Sequence, residues 1–226
     1  MKDKEFAGDK KLPLTAFLSK PERWLIDKTV PMFPRGIEGY HLTLASTVWS
    51  AGMIAFGYLA SRNVHWLWAS SLMLVLQWFT DSWDGSLGRY RDTGIPKWGY
   101  YMDHFLDYCF VGCVAIGYTF VVEGTARYIP LALAFVYGAF MTSAYLAFGA
   151  TNEFKVTYLG IGGTETRLFF ILVNTALIFF GKRWLEIALP YVLVVSLIVL
   201  CVVVFRTQKY IWKIDMDEKK ARSKGS

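Results

Sequence analysis

Two pairs of aspartates in residues 81–107 have the spacing of neighbours on a helix face. Asp81 and Asp84 are three residues apart, and Asp103 and Asp107 are four apart. Because an α-helix turns once in about 3.6 residues, the members of each pair lie on one side of their helix. If the two helices pack as neighbours, the four carboxylates converge on one point. The spacing therefore predicts a metal site, not a solvated helix face.

The residue types around these aspartates indicate which ligands the site binds. Carboxylate oxygens with no cysteine and a single histidine nearby suit a hard cation such as Mg²⁺ or Mn²⁺. Gly85 and Gly88 share the face of the first pair and leave room for a bulky ligand, while Arg89 offers a planar fork for phosphate oxygens. This chemistry favours metal-assisted transfer at a pyrophosphate. Pairing of the carboxylates with Arg89, Arg91 and Lys97 is the structural alternative, but it explains neither the shared face nor the small residues.

These residues follow the pattern D-x2-D-G-x2-G-R-x9-G-x3-D-x3-D, which resembles the signature of the CDP-alcohol phosphotransferases. Members of this family are membrane enzymes of phospholipid synthesis, and here glycine stands where they usually carry alanine before the arginine. The resemblance implies transfer of a substituted phosphate from a CDP-alcohol to an acceptor alcohol, with release of CMP, in a homodimer. It implies one or two divalent ions, Mg²⁺ or Mn²⁺, held by Asp81, Asp84, Asp103 and Asp107. It also implies a nucleotide site formed by Gly85, Gly88, Arg89 and Gly99.

The base that takes the acceptor's proton has two candidates. In the wider family the last aspartate of the signature, here Asp107, is the usual candidate. The segment DHFLD is also similar to the DHxxD of the choline and ethanolamine phosphotransferases, and in that branch His104 would be the base. A histidine with an unperturbed pKa of about 6.5 suits proton transfer at neutral pH. The alternative role for His104 is a hydrogen bond between helices.

The composition is that of a membrane protein. Hydrophobic residues make up 54% of the chain and aromatic residues 17%, and the mean hydropathy is +0.34. The net charge of +6 suggests anionic lipid and membrane topology, since no basic helix with an aromatic platform indicates nucleic acid. The sequence thus predicts a protein bound in a lipid bilayer.

Apolar stretches predict an all-α bundle of six transmembrane helices. They cover residues 42–61, 65–88, 99–122, 127–149, 165–181 and 184–206. Before them, residues 14–33 mix apolar and basic side chains at helical spacing, which predicts an amphipathic interfacial helix ended by Pro31 and Pro34. A soluble helix packed on the cytosolic face is the alternative for this segment. The expected organisation is an interfacial segment 1–40, a catalytic transmembrane domain 41–208 and a basic cytosolic tail 209–226.

Basic residues separate the loops into two groups. Of the 24 Lys and Arg residues, four lie in the loops expected outside: Arg62, Arg127, Lys182 and Arg183. The others lie in the terminal segments and in the loops 89–98 and 150–167. The positive-inside rule therefore predicts cytoplasmic termini and a cytoplasmic active site. CDP-linked substrates are found on this side, and the donor could be CDP-diacylglycerol or a CDP-amino-alcohol.

Two further segments bear on the site. In the loop 159–167, Thr164 is a candidate N-cap for the next helix. Glu165, Arg167 and the preceding Lys155 could face the site across its cytosolic mouth. Before the first span, many family members carry Pro-Asn-x-x-Thr, whereas this chain has Gly39 and Tyr40 before Thr43. This departure leaves the shape of the adjacent cavity wall open.

Two other functions use similar chemistry. A prenyltransferase of the UbiA type also holds Mg-pyrophosphate with aspartates, but on helices far apart in a longer chain. A cation transporter could use intramembrane carboxylates, but it would need neither the glycines nor the arginine on the aspartate face, and its carboxylates should lie near mid-membrane. Both remain alternatives to the transferase.

Overall fold

The computed structural model of the protein describes residues 18–151 and 162–224. These residues form seven α-helices and no β-strand, which confirms the predicted all-α class. The helices are α1 Ser19–Thr29, α2 Gly39–Ala60, α3 Leu67–Arg91, α4 Pro96–Val121, α5 Ile129–Thr151, α6 Gly163–Phe180 and α7 Arg183–Lys224. Short 3₁₀ turns follow α1 and precede α3 and α5.

In the described part of the chain, five helices are long and apolar enough to cross a bilayer. They are α2, α4, α5 with its preceding turn, α6 and α7. They make the protein an integral membrane protein, although the predicted count of six spans is not confirmed. Two described helices are outside this group: α1, which has only 11 residues, and α3, whose 25 residues would extend about 38 Å and so exceed the roughly 30 Å hydrocarbon layer. The hydropathy of α3 is lowered by polar and charged residues, among them Asp81, Asp84 and Arg89 of the signature.

Helix α2 is the support on which α3 and α4 both pack. Glycines allow the close approach: a Cβ atom on Gly57 would lie 2.5 Å from the Cα of Gly117 on α4. At the other end of α2, a Cβ on Gly39 would lie 2.5 Å from the carbonyl oxygen of Asp84 on α3. Membrane helices commonly pack through such small residues. This packing brings the signature halves of α3 and α4 to the same end of the bundle.

The predicted amphipathic helix is present as α1, which ends at Thr29 before a turn that contains Pro31. Residues 14–17 of the predicted segment lie outside the described residues. Helix α1 lies against α3, where Ile26 and the following Val30 pack with the buried Trp83 and Leu87. The Trp83 indole nitrogen donates a hydrogen bond to Thr29 Oγ1 at 2.7 Å. The apolar face of α1 is thus covered by the helix that carries the first aspartate pair.

Helix α7 is much longer than the span predicted for it. Its 42 residues extend about 63 Å, roughly twice the thickness of the hydrocarbon layer. The segment predicted as a separate basic tail from residue 209 continues this helix to Lys224. Helix α5 packs against both α7 and α4, and α6 packs against α3.

Candidate active site

Three of the four signature aspartates meet at one point. Asp81 on α3 and Asp103 and Asp107 on α4 each offer a carboxylate oxygen within 4.8 Å of the others. All three side chains are partly buried. A set of carboxylate oxygens at this separation could bind a divalent cation, and the oxygen-only donors suit Mg²⁺ or Mn²⁺.

Asp84, the fourth signature aspartate, is not a member of this group of three. Its side chain is hydrogen-bonded to α2. Its Oδ2 accepts a hydrogen bond from Thr43 Oγ1 on α2 at 2.6 Å. Gly39 lies one turn before Thr43 and allows the close approach of α2 to the Asp84 backbone. The chain departs from the family pattern ahead of Thr43, but the threonine itself contacts the signature.

Arg167 on α6 forms ion pairs with two of the clustered carboxylates. Its Nη2 donates to Asp81 Oδ2 at 2.8 Å and to Asp107 Oδ1 at 3.3 Å. Its Nε donates to Gln77, and Gln77 Nε2 donates to Asp107 Oδ1 at 2.9 Å. Arg167 is one of the residues that could face the site by sequence, and the structure places it against the carboxylates; Lys155 lies outside the described residues. Gln77 was not predicted, although its position one helical turn before Asp81 was an available signal.

Arg91 donates hydrogen bonds to the connection between α1 and α2 and not to the signature carboxylates. Its guanidinium donates to the carbonyl oxygens of Phe33 at 3.0 Å and Pro34 at 2.9 Å, and to that of Ile37. It also pairs with Glu38 at 3.7 Å. Arg91 therefore fixes the connection between α1 and α2 on the end of α3.

A cavity of about 390 Å³ lies beside the carboxylates, between α2, α3, the α3–α4 connection and α4. Its lining includes all four residues predicted to bind the nucleotide, Gly85, Gly88, Arg89 and Gly99. Asp84, Asp103 and His104 also line it. Gly85 is exposed to the cavity, whereas Gly88 is buried. A Cβ on Gly88 would lie 3.1 Å from the Cα of Gly94, so the small residue lets the connection fold back over α3.

The histidine of the DHFLD segment bonds within its own helix. His104 Nδ1 lies 2.7 Å from the carbonyl oxygen of Tyr100, one turn earlier on α4. A carbonyl only accepts hydrogen bonds, so Nδ1 carries the hydrogen and Nε2 carries the lone pair of the neutral ring. The same Nδ1 lies 3.7 Å from Asp103 Oδ2. This tautomer is the one in which Nε2 could take a proton.

Hydrogen bonds join the start of α6 to α1, and Thr164 is not the N-cap of α6. Gly162 precedes the helix, and its N–H donates to Glu165 at 2.9 Å. The Thr164 hydroxyl donates to Glu22 Oε1 of α1 at 3.0 Å, so the prediction of an N-cap there is wrong. Glu165 accepts from the backbone of Leu18 at 2.9 Å and so contacts the N-terminal segment. These bonds fix the helix turn that carries Arg167.

Comparison with known families identifies the class of protein. The sequence model of the CDP-alcohol phosphatidyltransferase family matches residues 40–211. This is well over half of the chain, and the protein belongs to that family. Its members transfer phosphate from a CDP-alcohol in a membrane and use a divalent metal ion, so this protein is a membrane transferase of phospholipid synthesis. A comparison with curated proteins found no match, and neither did a comparison with solved structures.

Proposed function

We propose that the protein transfers a substituted phosphate from a CDP-alcohol to the hydroxyl group of an acceptor alcohol and releases CMP. The observation that carries this proposal is the meeting of three carboxylates beside a cavity lined by small residues and Arg89. The cavity would hold the cytidine nucleotide, and the carboxylates would lie next to its pyrophosphate. The family match supports the same chemistry.

The carboxylates fit the divalent metal that the family uses. Asp81, Asp103 and Asp107 would be ligands, and Asp84, one helical turn after Asp81 on α3, would complete the set or bind a second ion. Mg²⁺ or Mn²⁺ bound there would neutralise charge on the pyrophosphate and on the departing CMP. Thr43 orients Asp84 through its 2.6 Å hydrogen bond.

The walls of the nucleotide cavity have separate roles in this proposal. Gly85 is exposed, and a Cβ atom added to the nearby Gly99 would meet no heavy atom within 4 Å, so both leave room for the cytidine group. Arg89 would donate to phosphate oxygens from its planar guanidinium. Gly88 contributes indirectly, because it shapes the connection that closes the cavity.

We assign the base to His104 and a ligand role to Asp107. Asp107 Oδ1 already accepts hydrogen bonds from both Gln77 and Arg167. His104 lines the nucleotide cavity, and its tautomer puts the lone pair on Nε2, the atom that would accept the proton. The acceptor's oxygen would bond to the β-phosphorus, the bond from that phosphorus to the oxygen of CMP would break, and the acceptor's proton would pass to Nε2. The similarity of DHFLD to the choline and ethanolamine phosphotransferases supports this assignment.

The organisation of the chain in the membrane is also part of the proposal. Residues 1–40 would form the interfacial segment, 41–208 the catalytic domain and 209–226 the cytosolic tail. The distribution of Lys and Arg supports cytoplasmic termini and a cytoplasmic active site. The large exposed apolar side chains of α5 and α7 are compatible with a homodimer in the bilayer.

The test is to supply the purified protein with Mg²⁺ and one donor–acceptor pair at a time. The pairs are CDP-choline with diacylglycerol, CDP-ethanolamine with diacylglycerol, and CDP-diacylglycerol with serine, glycerol phosphate or inositol. We expect release of CMP with at least one pair. Absence of CMP with all pairs, in both Mg²⁺ and Mn²⁺ and with folded protein, would contradict the proposed function.

A further inference from the structure

One carboxylate of α1 joins three helices outside the signature cluster. Glu22 Oε1 accepts hydrogen bonds from Trp78 Nε1 of α3 at 2.9 Å and from Ser82 Oγ of α3 at 2.6 Å. The Thr164 hydroxyl of α6 lies 3.0 Å from both oxygens of the same carboxylate and donates to it. All four side chains are partly buried. We call Glu22, Trp78, Ser82 and Thr164 the Glu22 junction.

The chemistry of this junction is that of a carboxylate surrounded by donors. An ionised carboxylate accepts hydrogen bonds and donates none, and the indole N–H of Trp78 can only donate. The 2.6 Å bond from Ser82 has the length typical of a hydroxyl bonded to an anion. Because donors from α3 and α6 meet on one carboxylate, Glu22 fixes the distance between these two helices at this point.

The donors of the junction lie beside residues of the metal site. On α3, Trp78 and Ser82 are four residues apart, and Asp81 lies between them in the sequence. On α6, Thr164 precedes Arg167 by three residues, so the two lie on one side of the helix. A shift of Thr164 would therefore carry Arg167 with it.

The guanidinium of Arg167 reaches the carboxylates across the same gap between α6 and its neighbours. It donates to Asp81 at 2.8 Å and to Asp107 at 3.3 Å. Among the described residues, no hydrogen bond or ion pair joins Glu22 directly to Arg167 or to the clustered aspartates. An effect of Glu22 on the site therefore has to pass through the positions of α3 and α6.

We propose that Glu22 is a positioning residue for the metal site: through Thr164 it sets where α6 presents the Arg167 guanidinium to the carboxylates. The inference rests on the metal site of the proposed function. It adds a residue that precedes the segment 40–211 matched by the family model. Helix α1 thus affects the site, although none of its residues lines the nucleotide cavity.

The test is a double-mutant cycle on the affinity of the full chain for Mn²⁺, followed by electron paramagnetic resonance. Without the junction, Arg167 should move more freely away from the carboxylates and compete less with the ion. Glu22→Ala should therefore bind Mn²⁺ about threefold more tightly than the wild type, a coupling of the size found within one hydrogen-bond network. The change is modest because the guanidinium remains and Glu165 still accepts from the Leu18 N–H. In an Arg167→Gln background, Glu22→Ala should cause no further change.

Two variants separate positioning from a general effect of the substitution. Glu22→Gln keeps an acceptor oxygen for the three donors and should bind Mn²⁺ as the wild type does. Asp27→Ala is the matched control, because it removes a carboxylate from the same helix and changes the net charge equally. The Asp27 side chain is 62% exposed and pairs with Arg23 of its own helix, so its loss should leave the affinity unchanged.

A further variant tests the α6 side of the junction alone. Thr164→Val keeps the shape of the side chain and removes its hydroxyl, while Trp78 and Ser82 can still donate to Glu22. It should also tighten Mn²⁺ binding, and it tests the inference even where Glu22→Ala fails to fold.

Several results would overturn the inference. One is a wild-type or weaker affinity for Mn²⁺ in folded Glu22→Ala or folded Thr164→Val. Another is an equal effect of Glu22→Ala with and without Arg167, since Glu22 would then act independently of the guanidinium. An affinity in Asp27→Ala that changes as much as in Glu22→Ala would reduce the effect to net charge. Absence of Mn²⁺ binding by the wild type would instead count against the metal site of the proposed function.

Discussion

Replacement of Arg167 by glutamine should strengthen the binding of a divalent cation. The guanidinium donates to Asp81 at 2.8 Å and to Asp107 at 3.3 Å, and its side chain is only 11% exposed. A cation bound by the same oxygens would lie within a few ångströms of the guanidinium charge. At about 4 Å and an effective dielectric constant of about 20, one pair of unit charges interacts by about 4 kcal/mol, and a divalent ion doubles this repulsion.

Most of this repulsion would be relieved because the long side chain can move away from the ion. A remaining penalty of about 1.4 to 2.8 kcal/mol corresponds to a ten- to hundredfold change in affinity. We therefore expect Arg167→Gln to bind Mn²⁺ at least tenfold more tightly in a titration followed by electron paramagnetic resonance. Without added cation the variant should unfold at a lower temperature, because the clustered carboxylates lose their counter-charge. Arg62→Gln, which removes a charge between α2 and α3, is the control and should change neither quantity appreciably.

An unchanged or weaker affinity for Mn²⁺ in Arg167→Gln would refute this reasoning. It would mean that Arg167 orients the carboxylates while the cation is bound, and does not compete with the ion.

Substitutions at three further positions test other parts of the site. Gly88→Ala should be mild, because family members usually carry alanine at this position and the α3–α4 connection has to shift by only a few tenths of an ångström to accept a Cβ 3.1 Å from Gly94 Cα. Gly88→Leu should weaken binding of CDP, and equal tolerance of both substitutions would place the nucleotide elsewhere. Thr43→Val keeps the shape of the side chain but removes the hydrogen bond to Asp84. Because a hydrogen bond to a charged group contributes about 1.5 kcal/mol or more, turnover should fall about tenfold. Wild-type turnover in that variant would show that Asp84 needs no such support. His104→Gln should lower turnover by about two to four orders of magnitude while Mn²⁺ and CDP still bind; retention of most activity would return the role of base to Asp107.

Local spacing predicted the helices of the site and the shared face of each aspartate pair, because intervals of three and four residues fix a helix face. The meeting of Asp81 with Asp103 and Asp107 depends in addition on the packing of α3 and α4 on α2. The separate position of Asp84 depends on Thr43 of α2, a contact over 41 residues that no local pattern encodes.

The contact between Gln77 and Arg167 has the same physical origin, whereas the length of α7 has a local one. Gln77 and Arg167 meet only when α6 packs against α3, so their hydrogen bond spans 90 residues of sequence. The continuation of α7 could not be predicted from hydropathy, because hydropathy marks where a helix leaves the apolar layer, not where it ends. Residues 207–224 contain neither proline nor glycine, so nothing in the chain breaks the helix as it becomes polar.

We expect the clustered carboxylates to bind the metal needed for transfer from a CDP-alcohol. The most direct measurement is CMP release by Asp103→Asn at saturating Mg²⁺, with Asp215→Asn near the end of α7 as the matched control. Asparagine keeps the size of the side chain but removes the charge of a metal ligand, so Asp103→Asn should release no CMP while it still reaches the membrane and unfolds at the wild-type temperature. The control should be fully active. Turnover near that of the wild type in Asp103→Asn would contradict the account.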